Sequence, residues 1–392
     1  MAVVEHKQMN KKKIGIIIGC VVAALALIAG IVLIGTYNRV YHGYRVVAQA
    51  ELYRNLVGYE PGNGVLLQYS NDGAKAILPD GTADWELSYH LDNPAVAYSG
   101  EVASVADIGG KTVYIVAENG IPYNYEVLYP IVKHDVANQG VTAVLLDNGT
   151  EDFIRLYDIE GNLRVDINTK TKHDGIPVDI ALSSDGKRLV TLYLTFDGSA
   201  ITSKVTFYNA GEVGKNHVGN IVGQKTFEEN LLVYDVDFLD EDYVYILHEN
   251  GFVVYYMQET PKLVCDQVIS GEVLDMAVTS KGIYCMEENE AGQKQFCYYE
   301  IQKSIFSNDI SAKRKVWSFV PEYEELVATE EEVVFFSPQS VSVYRTNGSL
   351  IYEGTLMHSY EAMFPLGEKQ YFLVDTQKIE SIKLTKEKQE GE

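Results

Sequence analysis

The chain of 392 residues is 46% apolar and carries a net charge of −23, from 55 acidic and 32 basic side chains. That composition supplies a sizeable core and argues against binding to nucleic acid or anionic lipid, which needs basic patches. The four cysteines form no C-x-x-C pair and no zinc-like spacing with histidine, so no zinc site of that kind is expected.

Residues 1–13 form a basic tail with four Lys and one Glu, ending in Lys11, Lys12 and Lys13. From Ile14 to Gly35 there is no charge. As a helix this run spans roughly 33 Å, enough for a bilayer core. The lysines before it outweigh Arg39 and Arg45 after it, which predicts a cytoplasmic N-terminus. A cleaved signal peptide is the competing reading, but its apolar region is shorter, about 7–15 residues, and no small-x-small site follows here. Residues 14–36 are therefore expected to be an uncleaved, single-pass signal-anchor. Gly15, Gly19 and Ala23 recur at four-residue spacing and could close a homodimer through this helix, although small residues are common in membrane helices anyway.

Residues 37–52 are a connector whose end, Val46 to Tyr53, either extends the helix or begins a strand. From there to residue 384 the pattern changes. Short runs of Val, Ile, Tyr, Phe and Leu alternate with Gly, Asn and Asp turns, and no long helix-period stretch appears. The clearest unit is Pro177 to Asn209. There Asp179–Leu182, Leu189–Leu194 and Val205–Tyr208 are predicted strands, with Ser183-Ser184-Asp185-Gly186 as the first turn. Similar units begin at Gly64, Val102, Val141, Val233, Val273, Val333 and Ala362. Eight units at about 41 residues each match the blades of a radial propeller. The expected fold is all-β, an eight-bladed β-propeller of WD-repeat or quinoprotein type over residues 53–384, with seven blades as the alternative count. The first and last units are incomplete, so the two ends of the domain could share one blade. A pair of β-sandwiches ranks second, because no linker divides the chain. Residues 385–392 read as a disordered tail.

Candidate chemical motifs dissolve one by one. Gly109-Gly110-Lys111-Thr112 resembles the end of a phosphate-binding loop, but Val105 stands where the first glycine is needed and a strand follows. His248-Glu249 begins like a zinc-protease helix, but Phe252 occupies the second ligand position. Asp235, Asp237, Asp240, Glu241 and Asp242 could hold calcium, yet their spacing fits a strand with a polar face and a turn better. No G-x-S-x-G elbow is present. The histidines are scattered, so only convergence in a central channel could assemble a site from them. Trp85 and Trp317 are placed to lock neighbouring blades. Asn148-Gly149-Thr150 and Asn347-Gly348-Ser349 match glycosylation sequons, a pattern short enough to arise by chance. Cys285 and Cys297 could face each other across one hairpin, with buried free thiols as the plainer expectation. No catalytic, cofactor-binding or metal-ligating residue is assigned, and no cofactor is expected.

Four stretches resemble a known family: VADIGGKTVY at 105–114, FIRLYDIEGNL at 153–163, DIALSSDGKRL at 179–189 and VTFYNAGEVG at 205–214. With the N-terminal anchor, they are similar to an uncharacterised family of single-pass, membrane-anchored β-propeller proteins from Gram-positive bacteria. The resemblance implies a fold and a surface location but no activity and no catalytic residue. The expected role is therefore a binding or scaffold module at the cell envelope, facing outward, with a protein or glycan partner and no nucleic acid. The alternative is a propeller enzyme, a hydrolase or lyase acting on an envelope glycan through a dispersed channel site.

Overall fold

The computed structural model describes residues 38–169, 175–304 and 307–387, together with Val22 and Leu27. Apart from those two residues, the expected membrane segment 14–36 with its dimer face lies outside the described residues, as does the tail 1–13. Among the described residues no helix is long and apolar enough to cross a membrane.

Eight four-stranded antiparallel sheets make an eight-bladed β-propeller. Strand β1 (Gly43–Glu51) comes first in the chain but belongs to the last blade. Blade 1 is β2 (Leu56–Pro61), β3 (Leu66–Ser70), β4 (Gly73–Ile77) and β5 (Ala83–Ser88). Blade 2 is β6 (Pro94–Ser99), β7 (Val102–Asp107), β8 (Thr112–Val116) and β9 (Pro122–Glu126). Blade 3 is β10 (Ile131–Val136), β11 (Thr142–Asp147), β12 (Asp152–Tyr157) and β13 (Leu163–Thr169). Blade 4 is β14 (Ile176–Leu182), β15 (Arg188–Asp197), β16 (Ala200–Asn209) and β17 (Ile221–Thr226). Blade 5 is β18 (Val233–Phe238), β19 (Tyr243–His248), β20 (Gly251–Tyr256) and β21 (Lys262–Val268). Blade 6 is β22 (Glu272–Thr279), β23 (Gly282–Glu288), β24 (Lys294–Lys303) and β25 (Ile310–Val316). Blade 7 is β26 (Glu325–Ala328), β27 (Glu332–Ser337), β28 (Ser340–Arg345) and β29 (Leu350–Thr355). Blade 8 is β30 (Ala362–Gly367), β31 (Gln370–Val374) and β32 (Lys378–Thr385), completed by β1 on the outside.

The ring therefore closes by pairing the start of the domain with its end. Gly43 stands opposite Thr385 and Glu51 opposite Lys378. Residues 43–51, assigned from the sequence to the connector, are in fact the closing strand. Their alternation of small, apolar and charged side chains suits an outer strand with one packed face. Tyr44 anchors it. Its ring is buried and meets Tyr352 edge-on, and its hydroxyl accepts the Met357 N–H at 2.9 Å.

The core is a set of layers between blades rather than one central mass. Leu145, Ile154 and Leu156 of blade 3 pack with Ile180, Leu189 and Tyr193 of blade 4. Leu247, Phe252 and Val254 of blade 5 pack with Ile283, Cys285 and Cys297 of blade 6. Each fully buried aliphatic side chain in such a layer contributes about 1.5–3 kcal/mol. The middle strands are apolar on both faces because they are covered on both faces. Turn chemistry joins them. In the β14–β15 hairpin the Gly186 N–H closes onto the Ser183 carbonyl at 2.7 Å, and φ of +68° there explains the glycine.

Trp317 and Trp85 sit between blades, as their positions in the sequence suggested. Trp317 meets Tyr284, Phe296 and Phe335 edge-on and Tyr344 at a tilt, at the junction of blades 6 and 7. Trp85 packs on the layer in which Leu67 and Ala76 of blade 1 meet Ala103 of blade 2.

Candidate functional site

The first strand of each blade is innermost. Neighbouring first strands approach one another around most of the ring, whereas among the described fourth strands only β21 and β25 do so. Innermost strands have their faces against adjacent blades, so solvent reaches them chiefly from the central channel.

One irregularity recurs on these strands. In blades 1, 3, 4, 5 and 6 the register with the second strand slips by one residue near the start of the first strand, and in blade 8 it slips at Leu366, beside the hairpin; the first five concern the channel. Their unpaired residues are Val57, Val132, Val178, Tyr234 and Leu274. A bulge of this kind bends the strand and re-aims the side chains beside it. All five side chains are apolar or aromatic, and all are 40–50% exposed. The residues that follow are Gly58, Lys133, Asp179, Asp235 and Asp275. Two positions further on stand Glu60, Asp135, Ala181, Asp237 and Ala277. Blades 3 to 6 thus place Asp135, Asp179, Asp235, Asp237 and Asp275 on the channel wall, with Lys133 as the cation among them.

Lys133 of blade 3 pairs with Asp179 of blade 4. Asp135 accepts the N–H of Val136 at 2.8 Å and that of Leu182, on the next blade, at 2.7 Å. Asp179 accepts the Ile180 N–H at 2.8 Å, and Asp237 the Phe238 N–H at 2.6 Å. The Tyr245 hydroxyl donates to Asp235 at 3.0 Å.

These carboxylates outnumber their cation, and their acidities record it. Burial, then the charges of Asp135, Asp235 and Asp179, push Asp237 up to about 8. Burial pushes Asp135 up to about 6, against the pull of two backbone N–H groups and Lys133. Burial also raises Asp235, with Asp179 adding to it and Tyr245 opposing. Asp237 lies deep among protein atoms, yet its own surface is open to solvent. Those properties coincide on the wall of a water-filled channel.

Asp275 extends the wall toward a cavity of about 560 Å³ between blades 6 and 7, whose lining includes Leu274, Met286, Lys294, Val320 and Tyr323. Burial raises the Asp275 carboxyl, and the Tyr323 hydroxyl partly offsets this. The volume lies within the usual range for small-ligand sites. Such a wall can accept cations, hold shared protons and seat apolar groups beside them.

Of the motifs weighed in the sequence, the acidic run is the one that enters this site, and only in part. Asp235 and Asp237 face the channel, while Asp240 pairs with Lys303 and Asp242 with Arg188 in the following turn. Gly109 and Gly110 form a hairpin turn, closed by the Gly110 N–H on the Asp107 carbonyl at 2.9 Å. His134 and His248 are both buried, and burial lowers His134 to about 4. Cys285 and Cys297 are direct register partners and stand as buried free thiols, with Cys297 pushed up to about 12 by burial. Both sequon asparagines cap their own turns. Asn148 accepts the Thr150 N–H at 2.8 Å and Asn347 the Ser349 N–H at 2.9 Å. Among the described residues no group of three or more His, Cys, Asp or Glu is placed to hold a metal ion. Lys133, Asp135, Asp179 and Asp275 were not singled out in the sequence. A signal was present: an Asp flanked by apolar residues in V-D-I (178–180), Y-D-V (234–236) and L-D-M (274–276).

Solved structures share the architecture at low identity. Sqt1 of Chaetomium thermophilum is 10% identical with a TM-score of 0.52, over 86% of this chain and 97% of that one. AztD of Citrobacter koseri is 11% identical with a TM-score of 0.49, over 78% and 87%. The Pan2 WD40 domain of Neurospora crassa is 8% identical with a TM-score of 0.43, over 90% and 99%. The Sqt1 likeness, at 10% identity, speaks to the fold alone, and the other two add nothing to it. No curated protein matches the chain. A family model does match, over residues 37–384, and the chain belongs to that family of unknown function, DUF5711.

Proposed function

We propose that this protein is a binding module, anchored in the cell membrane by residues 14–36 with its propeller facing outward, and that it engages its ligand at the central channel. The carrying observation is the repeated bulge on the innermost strands. It sets an exposed apolar side chain next to a carboxylate or Lys133 on four consecutive blades. A single exposed apolar side chain is ordinary, but one repeated blade after blade beside carboxylates that outnumber their cation is what a binding wall offers. The outward orientation rests on the uncharged run Ile14–Gly35 and the lysines before it.

Two experiments test this reading. The first is protease shaving of intact cells, followed by detection of the C-terminal region. Digestion there, with a cytoplasmic control intact, supports the orientation. Protection that persists after the wall is removed overturns it. The second is a photo-crosslinking residue placed at Val178, with one at Leu163 on the outer strand β13 as control. Adducts from Val178 and not from Leu163 support a ligand in the channel; adducts from Leu163 alone overturn that.

A second reading, a hydrolase or lyase acting on an envelope glycan, draws on one observation. Asp237, near 8, beside the more acidic Asp135, at about 6, could supply an acid and a base. It requires turnover that Asp237→Asn abolishes.

A further inference from the structure

We propose that the exposed ring of Val57, Val132, Val178, Tyr234 and Leu274, together with the carboxylates beside it, takes a polypeptide segment in which Lys or Arg alternates with aliphatic side chains. This inference rests on the channel-binding reading above and names its ligand class. Four of the five residues fall at one level, counted along the strand. In blades 1, 3, 4 and 5 the residue after the bulge makes the fourth pair counted from the hairpin, and in blade 6 the fifth. Aliphatic side chains at a common level offer a seat for apolar groups.

Charge fixes the rest of the occupant. Asp135, Asp179, Asp235 and Asp237 have Lys133 as their cation, and it pairs with Asp179; Asp275 shares its cavity with Lys294. A side-chain ammonium or guanidinium entering from the ligand completes what Lys133 begins. The groups facing Asp237 are Asp179 from the adjacent first strand, Asp135 from the one beyond it, Asp235 on its own strand and Tyr245 behind it. An anionic ligand would meet like charge at the ionised carboxylates, more of them as Asp237 loses its proton at higher pH. A neutral glycan is less suited, because Tyr234 is the one aromatic platform in the ring. A bare polyamine would leave the ring uncovered. A peptide with alternating basic and aliphatic residues uses both features, and its period of two suits an extended segment.

The test uses the full-length chain in a neutral detergent and three fluorescent nonapeptides. One alternates Lys and Leu, one carries Glu for Lys, and one carries Ser for Leu. Saturable binding of the first is expected, at least tenfold tighter than either other peptide. The double variant Asp235→Asn, Asp237→Asn is expected to weaken it at least tenfold. Val178→Ser with Leu274→Ser should weaken it severalfold, and Leu163→Ser on the outer strand should not. Equal affinity for the Ser version shows a bare cation site and overturns the proposal, as does tighter binding of the Glu version. If no peptide binds while Val178 still yields crosslinked adducts, the ligand class fails and the channel reading survives. If neither is seen, both fail.

Discussion

The carboxylate of Asp135 in blade 3 accepts the backbone N–H of Leu182 in blade 4 at 2.7 Å. One side chain thus lines the channel and ties two blades together at its wall. Asp135→Ala leaves that N–H without its partner, which costs about 1–3 kcal/mol. Asp135→Asn keeps an acceptor oxygen and should cost less. Urea unfolding of both variants checks the order.

Asp237 makes stability depend on pH in a defined direction. Its folded pKa, about 8, lies above the ordinary aspartate value of 3.8. The folded state therefore holds the proton more tightly. The stabilisation from that proton is fully present below about pH 4 and lost as pH rises through about 8. Asp135, at about 6, acts in the same sense over a narrower window. Melting temperature measured from pH 5 to 9 should fall less steeply in Asp237→Asn than in the parent chain. An unchanged slope would remove Asp237 as the source.

Peptide binding should run the other way. The ionised carboxylates attract the cation, so affinity for the Lys-Leu peptide should rise between pH 5.5 and 8.5. Asp235→Asn with Asp237→Asn should flatten that rise. Anisotropy titrations at three pH values read it directly.

Trp317 fills the seam between blades 6 and 7, against Phe296 on one side and Phe335 on the other. Trp317→Ala should destabilise the protein by about 3–5 kcal/mol, the usual range for removing a buried aromatic ring. Denaturant unfolding followed by circular dichroism measures it. Trp317→Phe should recover much of the loss.

Ring closure gives a separate handle. Tyr44→Ala removes a buried ring and the acceptor for the Met357 N–H, a loss of about 3–5 kcal/mol. The damage should start at the β1–β32 seam. Hydrogen exchange should show Gly43–Glu51 and Lys378–Thr385 opening first.

The middle strands could be read from the sequence because they are buried on both faces. Val244, Ile246, Phe252 and Val254 make runs that no polar residue interrupts for long. The outer strands β17, β21 and β25 were missed for the opposite reason. I-V-G-Q-K-T buries none of its residues fully and I-S-A-K-R-K-V only its first, and both carry little apolar signal. Strand β10, K-H-D-V at its core, was missed because its charges serve the channel. The site was hidden by the same logic. Asp135, Asp179, Asp235 and Asp275 are distant in the chain and meet only because the ring brings their blades together. The bulges that present Val178 and Leu274 are a matter of register, which alternation alone does not reveal.

The most direct measurement is hydrogen exchange of the full-length chain with and without the Lys-Leu peptide at saturation. Protection should appear in the innermost strands, at residues 131–136, 176–182, 233–238 and 272–279, and not in the outer strands β13, β17, β21 and β25. Protection confined to the outer strands, or none at saturating peptide, would contradict a ligand seated at the channel.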